Sequence, residues 1–562
     1  MNSNDSLDDK RSDEKHTDEK HEGIEVSVQD VDTGAMVASG NVELDPAESL
    51  RVRKKIDRYI LPLMCGVVEF STGTSALPYQ LRGFSHRKNR VQYMDKTTLG
   101  SSAILGIKQE AHLTTSQYNW LGTVFYLSYL VFEFPQNLAL QRFPVAKWMS
   151  INIFVWAIAL TSHAACKSFA TLMVVRVILG MCEGSITAGF MIVTSMFYTR
   201  KERAEQTLRV GYWFLMNGVA QIMAGFISFG TLHITTSRFE PWQWLMVICG
   251  ALTFIVSISF WFFFPDSPTT AYFLTPSERA IAILRIKANQ TGLENKHFKK
   301  EQMIEALTDP KTWLFALFSG LTNIPNSLSN QKPLIVNSFG FTVLQTTLLT
   351  CVDGVIEIIT ISTGVNVAAR TGQRAYTSVV YKIPELLGAI LINALPWSNK
   401  IGLLFSLWIT GVGTTGFVIS LSWVGSVTAG HTKRVTTNAI MLIAYVSRFS
   451  SLFTAVFKIT FFQCIGNAAG PFMWIDKYKP RNRIPWIIIG VCYITCMAIL
   501  LLIRYILAAE NKRRDAEPKM DDAYDNVYVE RLSSEGVMEK VKVDREFLDL
   551  TDRQNRDFRY VL

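Results

Sequence analysis

The sequence has little charge for its length and lacks the patterns that mark metal, redox and nucleophile sites. Charged residues make up only 18% of its 562 positions, whereas 49% are hydrophobic, which excludes an ordinary soluble protein of this size. The eight cysteines are scattered through apolar segments, with no CxxC pair and no histidine at metal-ligand spacing. We therefore expect no metal site, no cofactor and no enzyme active site.

The two ends of the sequence lack long apolar runs. Residues 1–50 contain 14 Asp or Glu against 4 Lys or Arg, which predicts a disordered acidic tail and no cleavable signal peptide. Residues 509–562 are mixed in sign and form a second tail. Residues 51–508 consequently carry 41 basic against 19 acidic residues. This excess suits loops at an anionic membrane surface and an anionic substrate, whereas nucleic acid would require a soluble basic face, which the sequence does not contain.

Between the tails the sequence consists largely of apolar runs of about 20 residues, the length that crosses a lipid bilayer as a helix. Two runs are interrupted by charged residues, and together with the continuous runs they make twelve predicted spans. The polar stretch 265–312 separates an N-terminal half, 51–264, from a C-terminal half, 313–508, with six spans in each. The continuous runs are 116–134, 148–165, 170–196, 209–232, 242–264, 313–330, 343–365, 376–395, 400–423 and 485–508.

Basic residues in the short loops predict the orientation of the spans, because basic loops resist translocation. Most of these basic residues lie in loops on the same side of the membrane as both tails and residues 265–312. We therefore expect the tails and this middle loop to be cytoplasmic. The plasma membrane is a separate expectation, which the loop charges do not determine. The loop 477–483 departs from the rule, since its four basic residues fall on the outer side. The other outer loops carry one basic residue each, at Lys108, Lys167, Arg238, Lys332 and Lys400.

The first and eleventh spans are the interrupted ones. Residues 69–90 and 446–463 carry basic side chains that cannot lie in lipid. The flanks of the first insert join into one span of suitable length, and the second insert begins and ends with residues that the two ends of a spliceosomal intron encode. One interpretation is therefore that both inserts are translated introns. The other is that both are real loops between half-helices, as in transporters with interrupted spans.

Five stretches of the sequence carry a resemblance to one known family. They are QYMDKTTLGSSA at 92–103, RVILGMCEGSITAGF at 176–190, MFYTRKERAEQTLR at 196–209, RIKANQTGLENKHFKKEQMIEALTDPKTWL at 285–314 and VDGVIEI at 352–358. These stretches resemble the fungal allantoate permeases, in the anion:cation symporter branch of the major facilitator superfamily. The resemblance implies an all-α membrane protein with twelve transmembrane helices in two six-helix halves, which works by alternating access, and we expect it to be a monomer. It also implies proton-coupled uptake of a small organic anion, such as allantoate, nicotinate, pantothenate or a similar vitamin or nitrogen source.

The resemblance also implies two gating loops on the cytoplasmic side. The superfamily has a glycine-and-arginine turn after the second span, and this sequence departs from that pattern while keeping Arg142. The corresponding turn after the eighth span is better preserved and contains Arg370 and Arg374. We expect these arginines to act in gating and as cytoplasmic anchors rather than as substrate ligands.

Charged residues inside predicted spans indicate function, because a charge in the membrane is costly unless it is paired or hydrated. Arg176 and Glu183 are seven residues apart, so a helix places them on nearly the same face, about 10 Å from each other. Arg176 would bind a substrate carboxylate and Glu183 would carry the proton. The animal organic-anion transporters of the same branch are similar at both positions. They also have a basic residue matching Lys96. Lys96 would either bind substrate or form a structural ion pair with Asp95 or with a neighbouring helix. Asp95 is also a candidate for binding a proton.

Two further groups of polar residues lie in the predicted C-terminal half. Asp353 and Glu357 share one helical face and would bind a proton, contact the other half of the protein or form structural pairs. Asn323, Asn326 and Gln331 offer amide groups for substrate recognition, although bonding between helices is the commoner use of such residues.

The sequence therefore predicts a secondary transporter whose partners are a small organic anion, protons and the lipid bilayer. A nutrient sensor that binds without transporting is the first alternative, but both tails lack the large patterned extension that a sensor would carry. A translated product made non-functional by its two inserts is the second.

Overall fold

The computed structural model describes part of the chain and places most of it in helices. The described residues are 24–25, 45–66, 94–198, 205–234, 239–268, 270–287, 299–430, 432–434, 436–437, 467, 469–517, 527–532, 538–542 and 550–562. Both predicted inserts, 69–90 and 446–463, lie outside the described residues.

The N-terminal half is a set of apolar helices whose ends carry the expected capping residues. Thr114 and Ser168 each begin a helix with a capping box, in which the side chain accepts from the backbone three residues on. The helices are α1 Pro46–Gly66, α2 Met94–Ile104, α3 Ile107–Glu110, α4 Thr115–Arg142, α5 Val145–Ser162, α6 Phe169–Phe197, α7 Glu205–Thr231 and α8 Pro241–Phe263.

Two helices of the middle segment lead into the C-terminal half, where two predicted spans are interrupted. The middle helices are α9 Pro276–Lys287 and α10 Lys300–Thr308. Short 3₁₀ turns, Pro325–Ser327 and Thr410–Gly413, separate α11 from α12 and α15 from α16. The remaining helices are α11 Pro310–Asn323, α12 Leu328–Ser338, α13 Val343–Thr371, α14 Arg374–Ala394, α15 Lys400–Ile409, α16 Thr414–Val427 and α17 Arg483–Ala516.

The break at Pro325 corrects the predicted span 313–330. Proline has no backbone N–H and cannot continue the helical hydrogen bonds, so α11 ends before it and α12 begins after a 3₁₀ turn. The helical segment then continues to Ser338 instead of ending at residue 330. Lys332, which the loop count assigned to an outer loop, therefore lies inside α12.

An all-helical membrane fold is confirmed, whereas the number of twelve spans stays a prediction. Within the described part of the chain, eight segments are long and apolar enough to cross a membrane. They are Val145–Ala165, Phe169–Ile186, Phe214–Thr231, Pro241–Phe263, Val343–Thr371, Arg374–Ala394, Lys400–Val427 and Arg483–Ala516. The described parts of the tails add a small sheet, in which β2 Val527–Leu532 pairs parallel with β1 Ile24–Glu25 and antiparallel with β3 Met538–Lys542.

Helices α7 and α13 join the two halves along a row of glycines. Gly211, Gly218 and Gly225 are spaced by seven residues, so they share one face of α7. A Cβ atom at Gly218 would overlap the carbonyl oxygen of Gly354 in α13, and the converse holds for a Cβ atom at Gly354. The two backbones are therefore in direct contact, which only residues without a side chain allow.

Hydrogen bonds also connect the halves at one end of the bundle, which we call the closed end. The Tyr118 hydroxyl donates to the Asn330 carbonyl over 3.1 Å. The amide of Asn119 donates to the Trp474 carbonyl over 2.9 Å and accepts from Gln331 over 3.2 Å. The closed end lies opposite the end at which the chain enters α1 and leaves α17.

Residues 550–562 dock against the other end of the C-terminal half. Asp552 is fully buried and pairs with Lys311 over 2.5 Å and with Lys433 over 2.7 Å. Tyr560 donates to Asp552 over 2.7 Å and accepts from Arg514 over 3.0 Å. Burial alone would raise the pKa of Asp552, but the two ammonium groups outweigh it and hold the pKa below the usual range.

The α7–α13 contact predicts that Gly218→Ala destabilises the protein. The added methyl group meets backbone, which cannot move aside, so we expect the free energy of unfolding to fall by about 1–3 kcal/mol. The measurement is the thermal unfolding midpoint of the purified protein. Gly230→Ala in the same helix is the control, because no atom lies within 4 Å of its added Cβ and alanine favours the helix by about 1 kcal/mol. Equal midpoints for the two variants would contradict the contact.

The docking of residues 550–562 predicts that Asp552→Asn releases this segment. The change leaves buried ammonium groups without one carboxylate, at a cost of about 3 kcal/mol or more. We expect faster tryptic cleavage after Arg556 and Arg559 at neutral pH. Because the pKa of Asp552 is lowered, wild-type docking should persist at neutral pH and weaken only as the pH falls below the ordinary aspartate range. Glu301→Gln, at an exposed position outside this segment, should not change the cleavage rate.

Candidate functional site

A cavity of about 260 Å³ lies between the two halves, beneath the closed end. Its volume lies just below the usual range for ligand pockets, which is about 300–1,000 Å³, so it fits a small solute. Helices α2, α4 and α7 line it from one half, and α11 to α14, the turn Thr410–Gly413, α16 and α17 line it from the other. Most of its described polar side chains belong to the C-terminal half.

The first charged group in the cavity is an ion pair between α12 and α13. The ammonium group of Lys332 donates to Asp353 Oδ1 over 2.6 Å, and both side chains are largely buried. The helix break at Pro325 precedes α12 and so sets the position of Lys332 relative to α13. An ammonium group has three donors, and among the described residues Lys332 uses one of them.

Glu357, one helical turn after Asp353, lines the cavity without a cationic partner. It makes no ion pair among the described residues. Gln221 in α7 donates to Glu357 Oε2, and this hydrogen bond connects the two halves. The other carboxylate oxygen, Oε1, is buried and has no hydrogen-bond partner in the described part of the chain.

A third carboxylate, Glu385 in α14, reaches the cavity beside the turn Thr410–Gly413. It accepts from Lys382 over 2.8 Å, and both residues are buried. A Cβ atom at Gly413 would overlap the Glu385 carboxylate, so glycine is required for the carboxylate to lie there. Gly411, in the same turn, lies beside the Lys332–Asp353 pair, with its ideal Cβ position 3.4 Å from Asp353 Oδ1.

Amide side chains form a hydrogen-bonded chain near the closed end of the cavity. Asn326 donates to Asn467 Oδ1 over 2.7 Å, and Asn467 donates to Asn323 Oδ1 over 3.1 Å. Asn326 also donates to the Tyr126 hydroxyl of the other half over 3.4 Å. These amides, Asn323 and Asn326 among them, line the cavity, and their role in substrate recognition stays a prediction. Gln331 does not line it, because its amide contributes to the closed end instead.

The structure does not bring Arg176 and Glu183 to this cavity. Both lie in α6 and are buried, with 4% and 1% of their surfaces exposed, but neither is among the described lining residues. Gly184 packs against the backbone of Glu133 in α4, so this part of α6 faces a helix of its own half. Their roles in binding and proton transfer therefore stay predictions without support from the cavity.

The other predicted residues are placed as follows. Asp95 and Lys96 lie in α2, but their side chains are outside the described part of the structure. Arg142 ends α4 and Arg370 lies in the last turn of α13, both exposed. Arg374 begins α14 and its backbone N–H donates to the Leu562 carbonyl over 2.8 Å. All three arginines lie at the end of the bundle away from the closed end, as gating loops would, and their function stays a prediction.

Comparison with known sequences identifies the family of this chain. A profile of the Major Facilitator Superfamily matches residues 91–471. The Thiamine pathway transporter of Saccharomyces cerevisiae is 34% identical over 93% of this chain and 87% of its own length. The Allantoate permease of the same yeast is 28% identical over 93% and 88%, and its High affinity cysteine transporter is 30% identical over 84% and 88%. The resemblance found in the sequence is thus confirmed.

Solved structures show the same fold at low identity. The partially occluded, inward open xylose transporter XylE from E. coli aligns with a TM-score of 0.52 at 12% identity, over 73% of this chain and 95% of its own. The nucleoside transporter NupG aligns with a TM-score of 0.50 at 14% identity, over 81% of this chain and 99% of its own. At such identities the likeness bears on the fold alone.

The Lys332–Asp353 pair predicts a compensating double variant. Lys332→Met leaves a buried carboxylate without its partner, which should cost about 3 kcal/mol or more in the free energy of unfolding. Adding Asp353→Asn removes the unpaired charge, so the double variant should recover most of the loss. The thermal unfolding midpoints of the single and double variants measure this. A double variant no more stable than Lys332→Met would show that the pair is not what holds α12 against α13.

Proposed function

This chain belongs to the major facilitator superfamily, and from that membership we propose that it couples uptake of a small organic solute to movement of a proton. Its relatives and structural neighbours are membrane transporters, so the chain is an integral membrane transporter and not an enzyme. We propose three further properties, namely proton coupling, the class of solute and the membrane in which the protein lies.

Glu357 is the observation that carries the proposal of proton coupling. Of the three described carboxylates in the cavity, Asp353 and Glu385 are each paired with a lysine and Glu357 is not. One proton on Glu357 would balance the charge of this group. We therefore place Glu357 ahead of Glu183, Asp95 and Asp353 as the proton carrier, because it lines the cavity and lacks a counter-ion.

The hydrogen bond from Gln221 would link that proton to the movement of the two halves. Gln221 belongs to the N-terminal half and Glu357 to the C-terminal half. A hydrogen bond to a charged carboxylate is roughly twice as strong as one to a neutral acid. Binding and release of the proton would then change the strength of a contact between the halves, which is what coupling requires.

The proposed solute carries a carboxylate. Lys332 has two donors that no described residue occupies, and the amides of Asn323 and Asn326 lie in the same cavity. The relative named Allantoate permease supports a solute of this type. A carboxylate of a few carbon atoms, such as a vitamin or a nitrogen source, fits the cavity volume.

The contacts at the closed end support an inward-facing state. If both tails are cytoplasmic, as the basic loops predict, the closed end faces the outside and the cavity is reached from the cytoplasm. We propose the plasma membrane as the location and a monomer as the working unit. The lipid bilayer, the solute and protons are its proposed partners.

The proposal predicts that uptake depends on the proton gradient through Glu357. Radiolabelled small carboxylates should be taken up faster at acidic external pH, and an uncoupler should abolish accumulation. Glu357→Gln should abolish accumulation yet keep exchange of labelled for unlabelled solute, because glutamine cannot carry the proton but fills the same space.

Two comparisons make this test specific. Glu301→Gln changes an exposed carboxylate at the start of α10 and should behave as wild type. The second comparison is a version of the chain without residues 69–90 and 446–463, which tests whether these inserts prevent function. Loss of accumulation in Glu183→Gln but not in Glu357→Gln would indicate that the proton carrier is Glu183 in α6. Uptake that ignores both pH and uncoupler would contradict proton coupling.

A further inference from the structure

The charges around the cavity restrict the chemistry of the solute beyond the presence of a carboxylate. Three carboxylates and one ammonium group line it among the described residues, namely Asp353, Glu357, Glu385 and Lys332. Lys382, which pairs with Glu385 within α14, adds a second positive charge. The group as a whole therefore carries one negative charge, and a single proton makes it neutral.

A carboxylate anion without a positive group would then leave the loaded cavity negative. Burying an uncompensated charge in a low-dielectric site is unfavourable, and the cost applies throughout the passage across the membrane. A solute with both a carboxylate and an ammonium group has no net charge. It would leave the proton-loaded cavity neutral.

We propose that the transported solute is a small zwitterion, with its carboxylate at Lys332 and its ammonium group at Glu385. The inference rests on the proposed proton-coupled transport and specifies its substrate class. The Glu385 carboxylate uses Oε2 for Lys382, and Oε1 accepts no hydrogen bond from any described residue. Lys332 thus offers donors for a carboxylate, and Glu385 offers an acceptor for an ammonium group.

The turn Thr410–Gly413 sets the distance between the two sites. Gly411 lies beside the Lys332–Asp353 pair and Gly413 beside the Glu385 carboxylate. A 3₁₀ helix has three residues per turn and rises about 2 Å per residue, so residues two apart are about 4 Å apart along its axis and point to different sides. The two sites therefore border one short turn on different sides, an arrangement that suits the two ends of an amino-acid-sized solute. A side chain at Gly413 would displace Glu385 and remove the second site.

The experiment measures binding and uptake of matched compounds by the full chain in proteoliposomes. The probes are the common L-amino acids and 4-aminobutyrate, each compared with the acid that lacks its amine and the amine that lacks its carboxylate. At least one zwitterion should bind about tenfold or more tightly than its two counterparts, the effect of one charge-assisted hydrogen bond. Its uptake should require the proton gradient.

Variants separate the ammonium site from general effects on folding. Glu385→Gln should weaken zwitterion binding about tenfold and should not weaken binding of the amine-free acid, which the loss of one negative charge favours. The double variant Lys382→Met with Glu385→Gln should do the same without leaving a buried lysine unpaired. Gly413→Ala should also lose the preference. Gly425→Ala, in the same span and with no atom within 4 Å of its added Cβ, should keep it.

The outcomes distinguish this inference from the proposed function. Proton-driven uptake of amine-free acids with an affinity equal to that of the zwitterions would overturn the inference and leave the transport proposal standing. The inference also fails if the Glu385 variants weaken both classes equally. It fails if the carboxylate-free amines bind best, since that indicates a cationic solute. Absence of uptake for every class would contradict proton-coupled transport itself.

Discussion

The arrangement of this cavity follows from the cost of placing charge in a medium that cannot solvate it. Lysines meet two of its carboxylates at hydrogen-bonding distance, and an amide from the opposite half meets the third. The Lys332–Asp353 pair holds α12 against α13, and the Gln221–Glu357 bond holds α13 against α7, whereas the Lys382–Glu385 pair lies within α14. Separating the partners of any of these contacts would expose an unpaired charge to an apolar interior. Stability and ligand recognition therefore depend on the same few side chains, which limits how freely either can change.

Much of the helical framework can be predicted from the sequence, because it depends on local composition. Apolar runs predict most of the spans, since burial in lipid requires continuous hydrophobic length. Four residues that line the cavity could be identified from the sequence as functional candidates, because polar groups inside spans are costly unless they have a role. They are Asn323, Asn326, Asp353 and Glu357.

Other features of the site could not be predicted, because they depend on tertiary contacts. The sequence predicts Lys332 in a loop, because a basic residue after an apolar run usually marks the membrane surface. Nothing local shows that the helix resumes after Pro325. Arg176 and Glu183 have the spacing of a shared face, but spacing does not determine which neighbour that face meets. A usable signal for Glu385 was its charge inside a span, together with the glycines of the next span. The contact of Glu385 with Gly413 becomes apparent only in three dimensions.

The glycine row on α7 limits how the two halves can rearrange. Where main chains touch at Gly218 and Gly354, no flexible side chains lie between them to absorb sliding, so the helices can roll on each other more readily than they can shift. That seam is suited to serve as a pivot, about which one half tilts while the distance between the axes stays nearly constant. Residues close to the pivot travel least, and Glu357 and Gln221, each three positions beyond a touching glycine, would remain neighbours while the ends of the bundle swing apart.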